Sequence, residues 1–502
     1  MFLPLTPAKI KMSIISLSVA KTAEKFGGKP AIIYRENVIT FAQLQEMTAR
    51  LGNAFVGLGI EKGDRVAIWL HSCPEYVLAY LAALSIGAVV VPLDLGLKDE
   101  LVNCLAHAEA KLLLTNKFDG VDFGKVSSCV RSLRHIVFCE ETLPELIRNA
   151  SDRPRQVNQA ENDPAIIFYT TGTTGSPKGV LWNVRHLENA PRTMKHFLRL
   201  DEKDVKLCAV PFSHSGGLVY IQNCIAFGIT MVLMRRFAPA AFVDNIQRYQ
   251  VTCFHIVPAM FQSILSLKKI ESLTLPSIRW VAVFGAPSPP ELIERFERLC
   301  PRGKALNGYG LTETSPPTTL PPLDKIRRGS VGQAPPWVEM AILDEKGRQR
   351  SVGEEGEVAF KGWIVADGYY KAPELTRAAL RNGWFCTGDL GRIDEDGYLF
   401  LAGRKKGVII VGGLNVYTDE VEFVLHEHPG VKEAAVVGVH QDLRGEQVKA
   451  VIVPKDGVTL ARGDIIAHCR RRLAPFKVPK IVDFVAELPK VGIGKVAKEQ
   501  LR

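Results

Sequence analysis

Hydrophobic residues along this chain fall into two textures. Short unbroken apolar runs read as buried strands, and stretches with apolar residues every three or four positions read as amphipathic helices. Phe41 to Leu58 has helical spacing, and Arg65 to Leu70 reads as a strand. Tyr76 to Leu93 carries no charge over 18 residues, about the minimum for a membrane span. Gly87 and Pro92 interrupt it, so it divides into a buried helix to Ser85, a turn at Gly87 and a strand over Ala88 to Val91. A membrane-spanning alternative would make the protein sediment with membranes even at high salt. Leu112 to Leu114, His135 to Phe138 and Ala165 to Phe168 are further strands, the last entered through a polar connection at Asn158 to Pro164. A second run follows, with strands at Leu207 to Pro211, Ile229 to Leu233, Cys253 to Val257 and Trp280 to Phe284. Strands alternating with helices in this way predict parallel sheets covered by helices on both faces.

From Val331 to Leu401 the texture changes. Short β-patterned pieces at Glu339 to Leu343, Glu357 to Lys361 and Tyr398 to Ala402 are separated by Gly/Asp turns, and predict a small antiparallel barrel or sheet. Gly403-Arg-Lys-Lys-Gly407 interrupts the pattern before apolar Val408 to Val411 and reads as a linker. The fold class is therefore α/β. A large multi-layer N-terminal domain over 1–402, with two α/β subdomains plus a small β-barrel, is joined through 403–407 to a small α+β domain over 408–502. A chain of 502 residues is long enough for two or three domains.

Composition changes this picture little. Hydrophobic residues make up 47% and charged residues 23%, ordinary for a globular enzyme. The net charge is +10, and residues 404–502 hold 17 Lys and Arg against 12 Asp and Glu. Such an excess suits nucleic acid, an anionic membrane surface or phosphorylated small molecules. With no basic tract interleaved with aromatics and no zinc-knuckle or helix-turn-helix pattern, nucleic acid is set aside. Ten scattered cysteines without a Cys-x-x-Cys pair point to reduced thiols and a cytoplasmic protein. Cys300 and Cys386 belong to no motif, and a structural role is expected. Met1 to Leu5 is apolar, but Lys9 and Lys11 follow it, which is the wrong order for a signal peptide.

The densest chemistry lies in Tyr169-Thr-Thr-Gly-Thr-Thr-Gly-Ser-Pro-Lys-Gly179. Gly172, Gly175 and Gly179 allow positive φ, so backbone N–H groups can converge on one point. The hydroxyls of Thr170, Thr171, Thr173, Thr174 and Ser176 and the ammonium of Lys178 add donors for a polyphosphate. By itself a loop of this composition reads first as a solvated loop, with phosphate binding only hinted at, and it is not a Walker A loop, because Gly179 follows Lys178 where Ser or Thr would be needed. From Thr171 to Gly179, however, it resembles throughout the phosphate loop of the adenylate-forming superfamily: acyl- and aryl-CoA synthetases, luciferases and peptide-synthetase adenylation domains. The resemblance runs from about residue 15 to the end, with the motifs in family order.

That resemblance implies the remaining site residues. Asn307-Gly308-Tyr309-Gly310-Leu-Thr312-Glu313-Thr314 is similar to the second nucleotide motif. Tyr309 would offer a face to adenine, Thr312 a hydroxyl to the α-phosphate and Glu313 a hard oxygen to Mg2+. Gly285-Ala286-Pro287 would line the adenine. Asp389, in Thr387-Gly-Asp389, would accept the ribose hydroxyls, and Arg404 would hold the same ribose or the phosphates. Lys406 matches the hinge position, although Gly407 replaces the Asp common there. Lys495, after the pliable Gly492 and Gly494, resembles the catalytic lysine; Lys490 is its neighbour and competitor. His214, in Pro211-Phe-Ser-His-Ser-Gly-Gly217, matches a gate between acyl and nucleotide pockets. His426 and His428 stand two apart, unlike a helical metal pair, and Arg470 to Arg472 reads as a solvated face with CoA or lipid contact as its functional alternative.

The implied reaction has two halves. A carboxylate attacks the α-phosphorus of Mg·ATP, giving acyl-AMP and pyrophosphate; a thiol, CoA, then takes the acyl group and releases AMP. The small domain, mobile in the family, would swing about Lys406 between the two. No Asp follows Phe212 to pair with a substrate amine, which disfavours an amino-acid adenylation module. Gly216, Gly217, Gly308 and Gly310 are expected to leave room for an acyl chain, while Phe212 and Phe284 could wall an aromatic ring. The expected substrate is a fatty acid, with an aryl acid (4-coumarate- or benzoate-like) second. The expected partners are that carboxylate, ATP and CoA, with room for weak peripheral membrane contact and a homodimer.

Overall fold

The structure is a computed structural model. It describes residues 16–501 apart from 99, 156, 172–176, 269, 286–289, 412–413, 442–444, 474 and 492–494; for 16–18, 171, 177, 290, 406, 408, 410, 414–415, 440–441, 445, 491 and 495 it describes the backbone alone. The chain forms two compact units, Met1–Ile326 with Gly362–Thr376, and Arg327–Lys361 with Arg377–Arg502. The boundary falls ahead of the small sheet that the sequence pattern groups with residues 1–402.

The first unit holds strands β1 (Pro30–Tyr34), β2 (Asn37–Thr40), β3 (Arg65–Trp69), β4 (Val89–Pro92), β5 (Ala110–Thr115), β6 (His135–Phe138), β7 (Pro164–Thr171), β8 (Pro177–Asn183), β9 (Val205–Cys208), β10 (Thr230–Leu233), β11 (Cys253–Ile256), β12 (Trp280–Val283) and β13 (Lys304–Asn307). Among the described residues they form two sheets. One is ordered β6-β5-β3-β4-β7-β8 and the other β13-β12-β11-β9-β10-β1-β2. Both are parallel except at one edge, where β7–β8 and β1–β2 are antiparallel hairpins.

Alternation along the strands builds the layers. In β3, Val66 and Ile68 join one core while Ala67 and Trp69 join another. In β12, Val281 and Val283 likewise oppose Trp280 and Ala282. The helices Phe41–Gly57, Pro74–Ser85 and Ser215–Phe227 supply side chains to the core that also takes in inward residues of both sheets. This explains the uncharged run Tyr76 to Leu84, whose residues are all buried: a helix between two sheets is apolar all round. Gly87 takes a φ of +77° at the turn into β4. Among the described residues no helix is long and apolar enough to cross a membrane. The helix Phe41–Gly57 starts where its sequence says, with Thr40 and Gln43 capping each other's backbone N–H groups.

The second unit has an antiparallel sheet of β14 (Glu339–Leu343), β15 (Gly356–Lys361), β16 (Leu380–Arg381), β17 (Trp384–Ile393) and β18 (Leu399–Arg404). After a 3₁₀ turn at Lys405–Gly407 comes a second sheet of β19 (Val408–Val411), β20 (Leu414–Tyr417), β21 (Val431–Gln441), β22 (Gly445–Pro454) and β23 (Ile481–Phe484). The helices Thr418–His426 and Arg462–Arg470 pack on one face of it. Its other face carries Leu488, Val496 and Leu501, which seats the terminal hairpin of β24 (Lys490–Val491) and β25 (Lys495–Val496).

Candidate functional site

The phosphate-loop segment is a β-hairpin. Tyr169 faces Gly179, Thr170 faces Lys178 and Thr171 faces Pro177 across β7 and β8. Gly172, Thr173, Thr174, Gly175 and Ser176 lie outside the described residues. The sequence pattern marks β7 but not β8, because Pro, Lys and Gly are poor strand formers. Gly179 does not adopt the expected positive φ. Its reason is close approach: a Cβ there would stand 2.9 Å from Ile167 Cγ2 and 3.3 Å from Tyr370 Cβ. The segment Gly368–Tyr370 runs along β8, with the Tyr370 N–H donating to Gly179 O at 2.6 Å and the Leu181 N–H to Gly368 O at 3.1 Å.

That segment ties two predicted residues together. Lys178 Nζ lies 5.9 Å from the centroid of the Tyr369 ring. Tyr369 Oη donates to Glu313 Oε1 at 3.0 Å. Burial, and then the Glu313 charge, push the Tyr369 phenol above its usual pKa, so it stays a proton donor. A cation and a carboxylate thus share one neutral phenol.

Asn307 ends β13, and the Gly308 N–H continues the ladder to Val283 O at 2.9 Å. Tyr309 is buried and bridges antiparallel to Thr319. Thr312 and Glu313 stand in a 3₁₀ turn, Thr312–Thr314. The turn is held by Trp182 Nε1, which donates to Thr312 O at 2.7 Å. Ser215 Oγ lies 3.4 Å from Thr312 Oγ1. Gly285 is exposed at φ +96°, and among the described residues a Cβ there would meet only Val257 Cγ1 at 3.8 Å. Ala286 and Pro287 lie outside the described residues.

The glycines expected to open an acyl channel do not all do so. A Cβ on Gly217 would fall 2.0 Å from Pro211 O, one on Gly308 2.3 Å from the Phe284 ring, and one on Gly310 2.6 Å from Pro316 Cβ. These glycines admit their own chain. Only Gly216 of the four is open, with Val210 Cγ1 at 4.0 Å. Phe212 is core, packed on Tyr76 at 5.3 Å between centroids. Phe284 stands edge-on to His255 at 5.9 Å and fills the space beside Gly308.

His214 precedes the helix Ser215–Phe227 and is about one-third exposed. Its Nε2 lies 3.1 Å from Asp94 Oδ2, which also accepts from Ser213 Oγ at 2.8 Å. Burial pushes the Asp94 carboxyl up. The bonds and charge of His214, the Gly96 N–H and Ser213 outweigh this and bring its pKa down to about 2.

In the second unit, Asp389 and Arg404 face each other across β17 and β18, with Arg404 Nε 2.9 Å from Asp389 Oδ1. Asp389 is buried and Arg404 half exposed. Lys406 lies in the turn Lys405–Gly407, its side chain outside the described residues. Gly407 is a packing position, because a Cβ there would come within 2.9 Å of Thr418 Oγ1. Lys495 opens β25; its side chain, with Gly492 and Gly494, lies outside the described residues. The competitor Lys490 is paired with Glu433 at 2.7 Å. Three residues past Lys495, Lys498 Nζ reaches Glu422 at 2.7 Å and Thr418 Oγ1 at 3.1 Å.

Among the described residues no cluster could hold a metal without added ligands. Arg472 pairs with Glu427 at 2.9 Å. Among the cysteines, only Cys129 is exposed and none is paired. Sequence reasoning missed Tyr369, Asp94, Ser213 and Trp182. Each acts through a contact distant in sequence, and the one local signal, Asp94 two residues before Gly96, marks a turn.

Comparison with known proteins agrees with this geometry. The AMP-binding enzyme family matches residues 19–370, and the AMP-binding enzyme C-terminal domain matches residues 420–495. A long-chain-fatty-acid–CoA ligase of Bacillus subtilis (strain 168) is 33% identical over 99% of this chain and 95% of its own. A feruloyl-CoA synthase of Amycolatopsis sp is 33% identical over 97% and 96%. The solved structure of an o-succinylbenzoate coenzyme A synthetase from Bacillus subtilis, in complex with ATP and magnesium ion, superposes with a TM-score of 0.86 at 29% identity, over 96% of this chain and 98% of that one. A family model covering residues 19–370 and relatives of this identity and length leave one assignment: the chain belongs to the AMP-binding enzyme family of adenylate-forming acid–thiol ligases.

Proposed function

We propose that this ligase activates an apolar carboxylic acid, a fatty acid first, as acyl-AMP and passes the acyl group to CoA. The observation that carries this reading is the Lys178–Tyr369–Glu313 arrangement beside the phosphate hairpin. Lys178 and the hydroxyls of Thr170 and Thr171 would hold the phosphates, and Thr312 the α-phosphate. Asp389 and Arg404 would hold the ribose. Glu313 would hold Mg2+, which supplies charge neutralisation on the phosphates. Lys495 would neutralise the charge growing as the carboxylate attacks. Because two anions must meet, positioning and charge stabilisation carry the catalysis. His214 would separate acyl and nucleotide pockets, and rotation about Lys406 would exchange the two half-reactions. A cytoplasmic location fits this reading.

An aryl acid is the second reading: a feruloyl-CoA synthase is as similar to this chain as the fatty-acid ligase is, and Phe284 beside Gly308 would wall an aromatic ring. Pyrophosphate release with ATP and a panel of acids, with and without CoA, separates the two. Lys495→Ala is expected to abolish pyrophosphate release yet largely spare thioester formation from preformed acyl-AMP. Equal loss of both steps would remove Lys495 from the role.

A further inference from the structure

We infer that Asp94 is a positioning residue for His214, fixing which ring nitrogen carries the proton and where the ring stands. The inference rests on the proposed role of His214 and adds a residue to it.

The two residues come from different sheets. Asp94 lies two residues past the end of β4, at the carboxyl edge of the first sheet. His214 lies six residues past β9, at the carboxyl edge of the second. In α/β folds substrates bind at such edges. Among the described residues the Asp94 carboxylate has three partners. Oδ1 accepts from the Gly96 N–H at 2.8 Å, and Oδ2 accepts from Ser213 Oγ and meets His214 Nε2. Its own position is fixed by Trp69 Nε1, which donates to Asp94 O at 3.0 Å. The loop bearing His214 is fastened in parallel: the Phe212 N–H donates to Ser72 Oγ at 3.2 Å and Tyr76 Oη donates to Phe212 O at 3.1 Å.

An ionised carboxylate only accepts hydrogen bonds. Nε2 of His214 must therefore carry hydrogen, and in the neutral ring Nδ1 is then the nitrogen able to accept. Orienting partners of this kind set a histidine's tautomer. An amide in place of the carboxylate can keep the Gly96 cap through its oxygen while presenting N–H to Ser213 and His214. The ring must then turn or change tautomer.

The experiment compares Asp94→Asn, His214→Ala and the double variant in pyrophosphate release, and reads the ring by 15N NMR of imidazole-labelled protein. The expected result is that Asp94→Asn lowers kcat about ten- to a hundredfold, the range for displacing an orienting group, with KM for ATP nearly unchanged. It should add nothing in the His214→Ala background, and the His214 nitrogen shifts should exchange tautomer. Full activity of Asp94→Asn alongside an impaired His214→Ala would overturn the inference while leaving the role of His214 intact. So would independent, multiplying effects, or an unchanged His214 spectrum. Full activity of His214→Ala would remove both. Because Asn preserves the cap, melting temperature is expected to hold, and the NMR reading stands whatever the activity.

Discussion

Lys206 shows how much one side chain can cost. It lies on β9, wholly buried, with Nζ 4.7 Å from the Tyr220 ring centroid, 5.5 Å from that of Trp280 and 3.7 Å from Met194 Sδ. Among the described residues no carboxylate forms an ion pair with it. Burial brings its pKa from 10.5 down to about 8. Between those values the unfolded chain holds a proton the folded chain has shed, so this group makes stability rise with pH across that window. Below pH 8 the full penalty stands, up to about 3 kcal/mol. Lys206→Met keeps the volume and removes the charge. It is expected to melt above the wild type at pH 7, the gap closing between pH 8 and 10.5. A gap that does not change with pH would show the ammonium costs nothing.

Elements were legible where one segment decides its own fate. The helix Phe41–Gly57, the helix Pro74–Ser85 with its following turn and strand, and β6 and β14 fall where periodicity puts them. The hairpin β1–β2 did not show, because it is short and half-exposed and gains its place by pairing with β10. The candidate site stands in the sequence as a set of motifs, since loop chemistry is local. Its supports do not: Tyr369 stands 56 residues from Glu313, and Asp94 stands 120 from His214. The glycines misled for a related reason, because a missing side chain looks alike whether it admits a ligand or the chain itself. Two substitutions separate these cases. Gly217→Ala drives a methyl against the Pro211 carbonyl and is expected to destabilise by about 1–3 kcal/mol. Gly216→Ala is expected to keep the melting temperature and shift preference in the acid panel toward shorter or slimmer acids; an unshifted preference would take Gly216 out of the acyl site.

At the scale of the molecule, the proposed role of Lys495 needs the terminal hairpin held in register with the rest of the second unit. Lys498 does this by reaching Glu422, a carboxylate that also accepts the Val436 N–H at 2.6 Å. Lys498→Met strands that carboxylate, and both the melting temperature and pyrophosphate release are expected to fall. Lys490→Met breaks only an exposed pair worth about 0–1 kcal/mol and is expected to change neither. If it abolished pyrophosphate release, the catalytic role would move to Lys490. The first strand has a consequence of another kind. Ile32 of β1 pairs with Met231 of β10, so as the polypeptide leaves the ribosome this strand has only its hairpin partner β2, and its other edge stays unpaired until nearly two hundred further residues have emerged. At about 5–20 residues per second that is a wait of roughly 10–40 s. The second sheet can then be completed only late in synthesis, and early truncations should be clients of chaperones.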